Sequence, residues 1–157
     1  KLLGYHSFDW ENDDSSGTPD CVWCGTIQGL SFEAKTMTER EDKPISCNYI
    51  GQMARQQQWA KRELNLSIPL TSIMITKQYS IQKDALQSRD EKDRYITPTV
   101  IREIFALLTE MYIDLSNKTL NLSVEETRSA IYQELMNKKL LLSDIITRLQ
   151  KFDTLVN

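Results

Sequence analysis

Asp20, Glu33 and Lys35 are the residues whose types and spacing could do chemistry. They lie in the stretch GTPDCVWCGTIQGLSFEAKT, residues 17–36, where twelve residues separate the Pro19-Asp20 pair from Glu33-Ala34-Lys35. Two carboxylates on adjacent strands can converge on one hard cation such as Mg2+, which takes one or two acids and fills its shell with waters and phosphate oxygens. A cation so held makes a bound water nucleophilic near neutral pH and stabilises charge building on a phosphoryl oxygen. A lysine beside the acids presents a compact positive charge that can orient the attacking water or steady the phosphorane. These are the parts that hydrolysis of a phosphodiester requires.

Each feature alone has an ordinary explanation. Pro-Asp is a common turn, because proline presets the backbone and aspartate caps it. A Glu-x-Lys on a strand face is often an exposed pair that adds little stability. The surroundings decide between the readings: GLSFEAKT has the pattern of a strand buried on one side, and a helix and a further strand follow it.

The elements that must position these residues can be read from periodicity. A short strand over Cys21–Trp23, a turn through Gly25 and a second strand over about residues 27–36 form a hairpin. Within the second strand Leu30, Phe32 and Ala34 share one face and Ser31, Glu33 and Lys35 the other. Residues 46–63 predict a helix whose apolar stripe runs through Ile50, Met53 and Ala54 towards Leu64, with Gln52 and Gln56 one turn apart on a neighbouring face. Residues 71–79, rich in β-branched and aromatic types, predict another strand. The order strand, strand, helix, strand predicts a mixed sheet with the helix packed across it.

From Thr97 the chain is helical in character. Thr97 and Pro98 fit an N-cap and first helical position, followed by Ile101, Ile104, Phe105, Leu108, Met111, Tyr112 and Leu115 at helical period. Ser123 and Glu126 form a capping box for a second helix that turns Ile131 and Leu135 inward, and Ser143 opens a third. The expected division is a core over residues 1–96 and a helical C-terminal subdomain over 97–157. The second part suits packing and partner contact more than chemistry.

The motif and the order of elements resemble the PD-(D/E)xK nuclease superfamily, which has the restriction-endonuclease-like fold. The resemblance covers about residues 1–96. It implies an α/β protein, a restriction-endonuclease-like mixed sheet flanked by helices, here with an all-helical C-terminal flank. It further implies a metal site of Asp20, Glu33 and the Ala34 carbonyl, and catalytic roles for Asp20, Glu33 and Lys35. In RecB-type members the helix after the motif carries a functional glutamine, which Gln52 matches in position. Its amide would hydrogen-bond the lysine or the nucleophile, with Gln56 a turn further towards substrate. Many members add an acid from a helix preceding the first strand. That helix is expected to lie almost wholly upstream of Lys1, with KLLGY as its last turn and the first helix of the core truncated, and Asp9, Glu11, Asp13 or Asp14 could substitute for the acid.

Composition sets the outer bounds. The chain has 157 residues, 40% hydrophobic and 26% charged, which is ordinary for a globular domain with a core of its own. No apolar run approaches the roughly 18 residues of a membrane span, and no secretory signal is visible. Net charge is −3, yet residues 1–50 hold nine acidic and four basic side chains while residues 51–100 hold eight basic and five acidic. An acidic patch beside a basic one suits a site that holds cations and neutralises phosphates. Cys21, Cys24 and Cys47 with the lone His6 make a thin ligand set for zinc, and the C-x-x-C pair packs more simply as small hydrophobes. An odd number of thiols favours a reducing, cytoplasmic setting.

These readings converge on a Mg2+-dependent deoxyribonuclease, with Mn2+ as the substitute cation, forming an endonuclease domain of a larger restriction or defence protein. DNA is expected over RNA, the rest of a parent chain or complex is the expected partner, and dimerisation is left open. The alternative is a non-cleaving nucleic-acid-binding or assembly module that keeps the nuclease fold. A weaker third reading is a helical protein-interaction module centred on residues 97–157.

Overall fold

A computed structural model describes residues 6–9, 17–35 and 42–150, with backbone alone at Asp9 and Gln150. The expected terminal turn at residues 1–5, most of the acidic loop including Glu11, Asp13 and Asp14, and most of the loop after Lys35 fall outside the described residues. Among the described residues five strands and five helices follow in this order: β1 (His6–Asp9), β2 (Cys21–Cys24), β3 (Gly29–Lys35), α1 (Cys47–Glu63), β4 (Leu70–Thr76), α2 (Lys83–Ser88), β5 (Arg94–Ile96), α3 (Pro98–Lys118), α4 (Val124–Asn137) and α5 (Leu142–Gln150). The strands form one sheet in sequence order, β1-β2-β3-β4-β5. Strand β2 is antiparallel to both its neighbours, β1 and β3, whereas β3, β4 and β5 run parallel. The molecule is therefore an α/β protein with a mixed sheet flanked by helices, as its order of elements predicts.

The β2–β3 hairpin closes through the Gly25 N–H, which donates to the Gln28 carbonyl at 3.0 Å. Gly29 opens β3 where the backbones crowd, since a Cβ there would stand 2.8 Å from the Trp23 carbonyl oxygen. Parallel strands need a crossover, and α1 supplies it between β3 and β4. One face of the sheet is covered by α1. Against the other lie α3, α4 and α5, whose Val100, Ile104, Met111, Leu135, Ile145 and Leu149 join Leu30, Phe32, Ile73 and Ile96 in one cluster. The core is continuous across the junction of β5 and α3.

Several expectations change with packing. Strand β3 is buried on both faces through Glu33, because it lies inside the sheet between β2 and β4 with α1 above it. Ala34 is exposed although it alternates with Leu30 and Phe32. In α1 the buried stripe is Ile50, Met53, Gln56 and Ala60, so Ala54 faces solvent. In α3 it is Val100, Ile104, Leu108, Met111 and Leu115, which leaves Phe105 and Tyr112 on the exposed rim. Strand β4 stops at Thr76, whose hydroxyl accepts from the Gln78 N–H at 3.1 Å and turns the chain.

Helix termini follow the sequence signals more closely. Ser123 caps α4 with the reciprocal Glu126 contacts of a capping box. That helix ends on Lys139 at φ 53°, with the Leu140 N–H donating to the Leu135 carbonyl at 2.8 Å, a Schellman closure. Helix α5 begins at Leu142 rather than Ser143, within the slack of helix boundaries. Strand β1, helix α2 and strand β5 have no counterpart in the periodicity reading. They are four, six and three residues long, too short for a hydrophobic period to repeat.

Candidate active site

The candidate residues gather at one edge of the sheet. Asp20 precedes β2, Glu33 and Lys35 end β3, and Thr76 ends β4. Because β2 runs antiparallel to β3, its beginning lies beside the end of β3. In open α/β sheets ligands bind at the carboxyl ends of parallel strands, which is the edge in question here.

Asp20 is fixed to β3 by two hydrogen bonds. Its backbone N–H donates to the Phe32 carbonyl at 3.0 Å, and its Oδ2 accepts from the Ala34 N–H at 2.6 Å. What Ala34 brings to Asp20 is thus its amide hydrogen. The Asp20 side chain is exposed, so its carboxylate can meet a solute.

Glu33 is buried, with 4% of its surface exposed. A buried carboxylate costs several kcal/mol unless it is paired and hydrogen-bonded. Three donors meet that need. Gln52 Nε2 donates to Oε1 at 2.8 Å, Lys35 Nζ lies 2.5 Å from the same oxygen, and Gln56 Nε2 donates to Oε2 at 2.5 Å. Gln56 Nε2 also donates to the Thr18 carbonyl at 2.8 Å. The Lys35 ammonium lies 5.4 Å from the centre of the Tyr49 ring, within cation–π range. Tyr49, Gln52 and Gln56 stand at i, i+3 and i+7 of α1, one stripe directed at the end of β3.

The structure brings Glu33, Lys35 and Gln52 into contact and anchors Asp20 to Phe32 and Ala34, the two residues that flank Glu33 on β3. It alters two expectations. Gln52 reaches the carboxylate of Glu33, not the lysine, because Lys35 itself turns onto Glu33. Gln56 is buried on the other oxygen of Glu33 in place of extending towards substrate, because the apolar stripe of α1 passes through it. The sequence carried a signal for this: a glutamine at the position where the spacing from Ile50 and Met53 calls for an apolar residue. Tyr49 was missed too, and the same helical stripe would have found it.

The donor set can be tested against a metal by its chemistry. Asp20 and Glu33 give hard oxygens with two negative charges against one from Lys35, a balance that favours a divalent cation. Among the described residues no three His, Cys, Asp or Glu side chains cluster to form a closed metal cage. Two carboxylates with a backbone oxygen beside them are hard donors of the kind Mg2+ takes, and they lack the soft or imidazole donors of a zinc cage. Cys21 and Cys24 are three apart on β2 and so face opposite sides of the sheet, Cys21 against the large apolar cluster and Cys24 within the smaller one near Ala60. Burial pushes the Cys24 thiol up from its ordinary range, with Cys21 adding to the shift, which works against a thiolate ligand. Asp9 pairs with Cys21 across β1 and β2, so its backbone lies next to the start of β2.

No family model and no curated protein matches the chain. Among solved structures it is similar to the small subunit of the heterodimeric restriction endonuclease R.BspD6I, at 15% sequence identity and a TM-score of 0.43, over 94% of this chain and 83% of that one. Among the described residues no helix is long and apolar enough to cross a membrane.

Proposed function

We propose that the chain is a Mg2+-dependent endonuclease domain of the PD-(D/E)xK type, acting on DNA as part of a larger restriction or defence protein. The observation that supports this best is the treatment of Glu33. A buried carboxylate is held between a lysine and two glutamine amides at the sheet edge where Asp20 is hydrogen-bonded to the same strand. A surface ion pair would not be buried, and a plain core would hold an apolar residue in that place.

Asp20 and Glu33 would hold the cation, with the Ala34 carbonyl as a third oxygen. When bound, Mg2+ supplies a nucleophilic water near neutral pH and neutralises charge on the phosphoryl oxygens. Lys35 places a positive charge beside that site, where it orients the attacking water and offsets charge on the phosphate. Gln52 orients Glu33 without adding charge. The basic excess in residues 51–100 offers a path for the nucleic-acid backbone.

A second reading, a non-cleaving nucleic-acid-binding or assembly module, has one observation in its favour: both oxygens of Glu33 already have protein partners. Plasmid nicking with the full-length parent protein separates the two. Cleavage should need Mg2+ or Mn2+ and withstand a zinc-selective chelator. Asp20→Ala, Glu33→Ala and Lys35→Ala should each lower the rate hundreds-fold, on the order of 3–4 kcal/mol, with circular dichroism unchanged. Normal cleavage by the Glu33 variant, or none by the unaltered protein, removes the nuclease reading.

A further inference from the structure

We infer that Gln56 is the positioning residue that ties the Asp20 segment to Glu33. Its functional consequence rests on the nuclease reading, while its geometry does not. The Gln56 side-chain nitrogen carries two hydrogens, and each has a separate acceptor: the Thr18 carbonyl at 2.8 Å and Glu33 Oε2 at 2.5 Å. Thr18 is followed by Pro19, whose ring fixes its own φ and restricts the residue before it. Holding the Thr18 carbonyl therefore holds Asp20, two residues on, with little backbone freedom between.

The two glutamines of α1 are unequal partners of Glu33. Gln52 is half-buried and shares Oε1 with Lys35, so its loss leaves that oxygen paired. Gln56 is 3% exposed and donates to Oε2, so its loss takes a donor from a buried carboxylate oxygen and from the Thr18 carbonyl together. A neutral amide also suits the place for an electrostatic reason. A lysine or arginine at position 56 could make similar bonds, but it would cancel the remaining negative charge that attracts a cation. The order of importance is thus Gln56 before Gln52, the reverse of what the resemblance implies.

Two measurements on Gln56→Met, which keeps the length of the side chain and removes both donors, test this. Amide hydrogen exchange at Ala34, whose N–H is bonded to Asp20, should accelerate by about tenfold while Met74 in β4 keeps its rate. The Mg2+ concentration for half-maximal cleavage should rise by about tenfold or more, a change that partial unfolding alone would not produce. Gln52→Met should change either quantity by less than about threefold. If Gln56→Met does not fold, Gln56→Asn, one methylene too short to span both acceptors, should give the same changes at smaller amplitude. Unchanged Ala34 exchange in the folded Gln56 variant, or equal effects from the two glutamines, overturns the inference. Faster Ala34 exchange in a protein that does not cleave DNA upholds the positioning role and removes the nuclease reading alone.

Discussion

The two faces of the sheet are built from alternate residues of the same strands, yet they bury different chemistry. Towards α3, α4 and α5 the strands turn Leu30, Phe32, Ile73 and Ile96, all within one apolar cluster. Towards α1 they turn Ser31, Glu33, Ser72 and Thr76, with Met74 and Tyr95 among smaller apolar groups. A fully buried aliphatic side chain contributes about 1.5–3 kcal/mol whatever its exact neighbours. A buried polar group instead depends on each partner, since one unmatched donor or acceptor costs about 1–3 kcal/mol. Stability is therefore concentrated on the helical side and specific geometry on the α1 side.

The polar face shows how that dependence is met. Gln57 donates to the Leu70 carbonyl at 2.8 Å and to Ser72 Oγ at 3.2 Å, and Gln78 donates to the Lys43 carbonyl at 2.8 Å. The match is incomplete: Gln78 Oε1 is buried without a hydrogen-bond partner among the described residues. Asp93, 6% exposed, is the most perturbed acid there. Burial pushes its carboxyl up from the ordinary 3.8 to about 6, the Asp90 charge adds to this, and hydrogen bonds from the Asp90 backbone and Ser72 hold it back.

The largest effect that could break the comparison is on activity. Glu33→Met replaces the buried acid by an apolar side chain of similar size. If the chain is the nuclease proposed, cleavage should fall hundreds-fold, on the order of 3–4 kcal/mol, while urea denaturation shows a loss of about 1–3 kcal/mol, because Gln56 keeps only its Thr18 acceptor and Lys35 loses its ion pair. Collapse of the fold in this variant would show that the polar face carries stability as well.

On the opposite face Met111→Ala should do the converse. It opens a cavity in the large cluster, and denaturation should report a loss of about 3 kcal/mol, with the Mg2+ requirement for cleavage unchanged. A shifted Mg2+ requirement would couple the two faces.

Asp93→Asn sharpens the comparison through pH. Because the folded carboxyl titrates near 6 and the unfolded one near 3.8, the folded state binds more protons between those values, and stability falls as pH rises through that window. The neutral amide escapes the penalty. It should raise stability by on the order of 2 kcal/mol at pH 7–8, after allowance for solvent screening, and by nothing measurable near pH 3.5. Thermal melts across that range measure the gap, and a constant difference would show that Asp93 is not the titrating group.

The smallest effect lies outside both faces. Ser123→Ala removes the hydroxyl that accepts from the Glu126 N–H, and should cost about 1 kcal/mol in melting experiments without altering cleavage.

The sequence by itself determined the elements whose signals are local. Alternation in LSFEA made a strand, the Thr97-Pro98 and Ser123–Glu126 signals started helices, and the spacing of Asp20, Glu33 and Lys35 put acids and a lysine on neighbouring strands. Only the tertiary structure decided which of those polar groups are buried and what they touch. Besides Lys35, two positions away, Glu33 is satisfied from residues 19 and 23 positions away, and Gln56 reaches back 38 residues to Thr18. A period of 2 or 3.6 fixes which residues share a face, but the face's neighbour is chosen by the packing of the whole sheet. That is why Gln56, expected from the sequence to extend towards substrate, lies buried against a carboxylate in the fold.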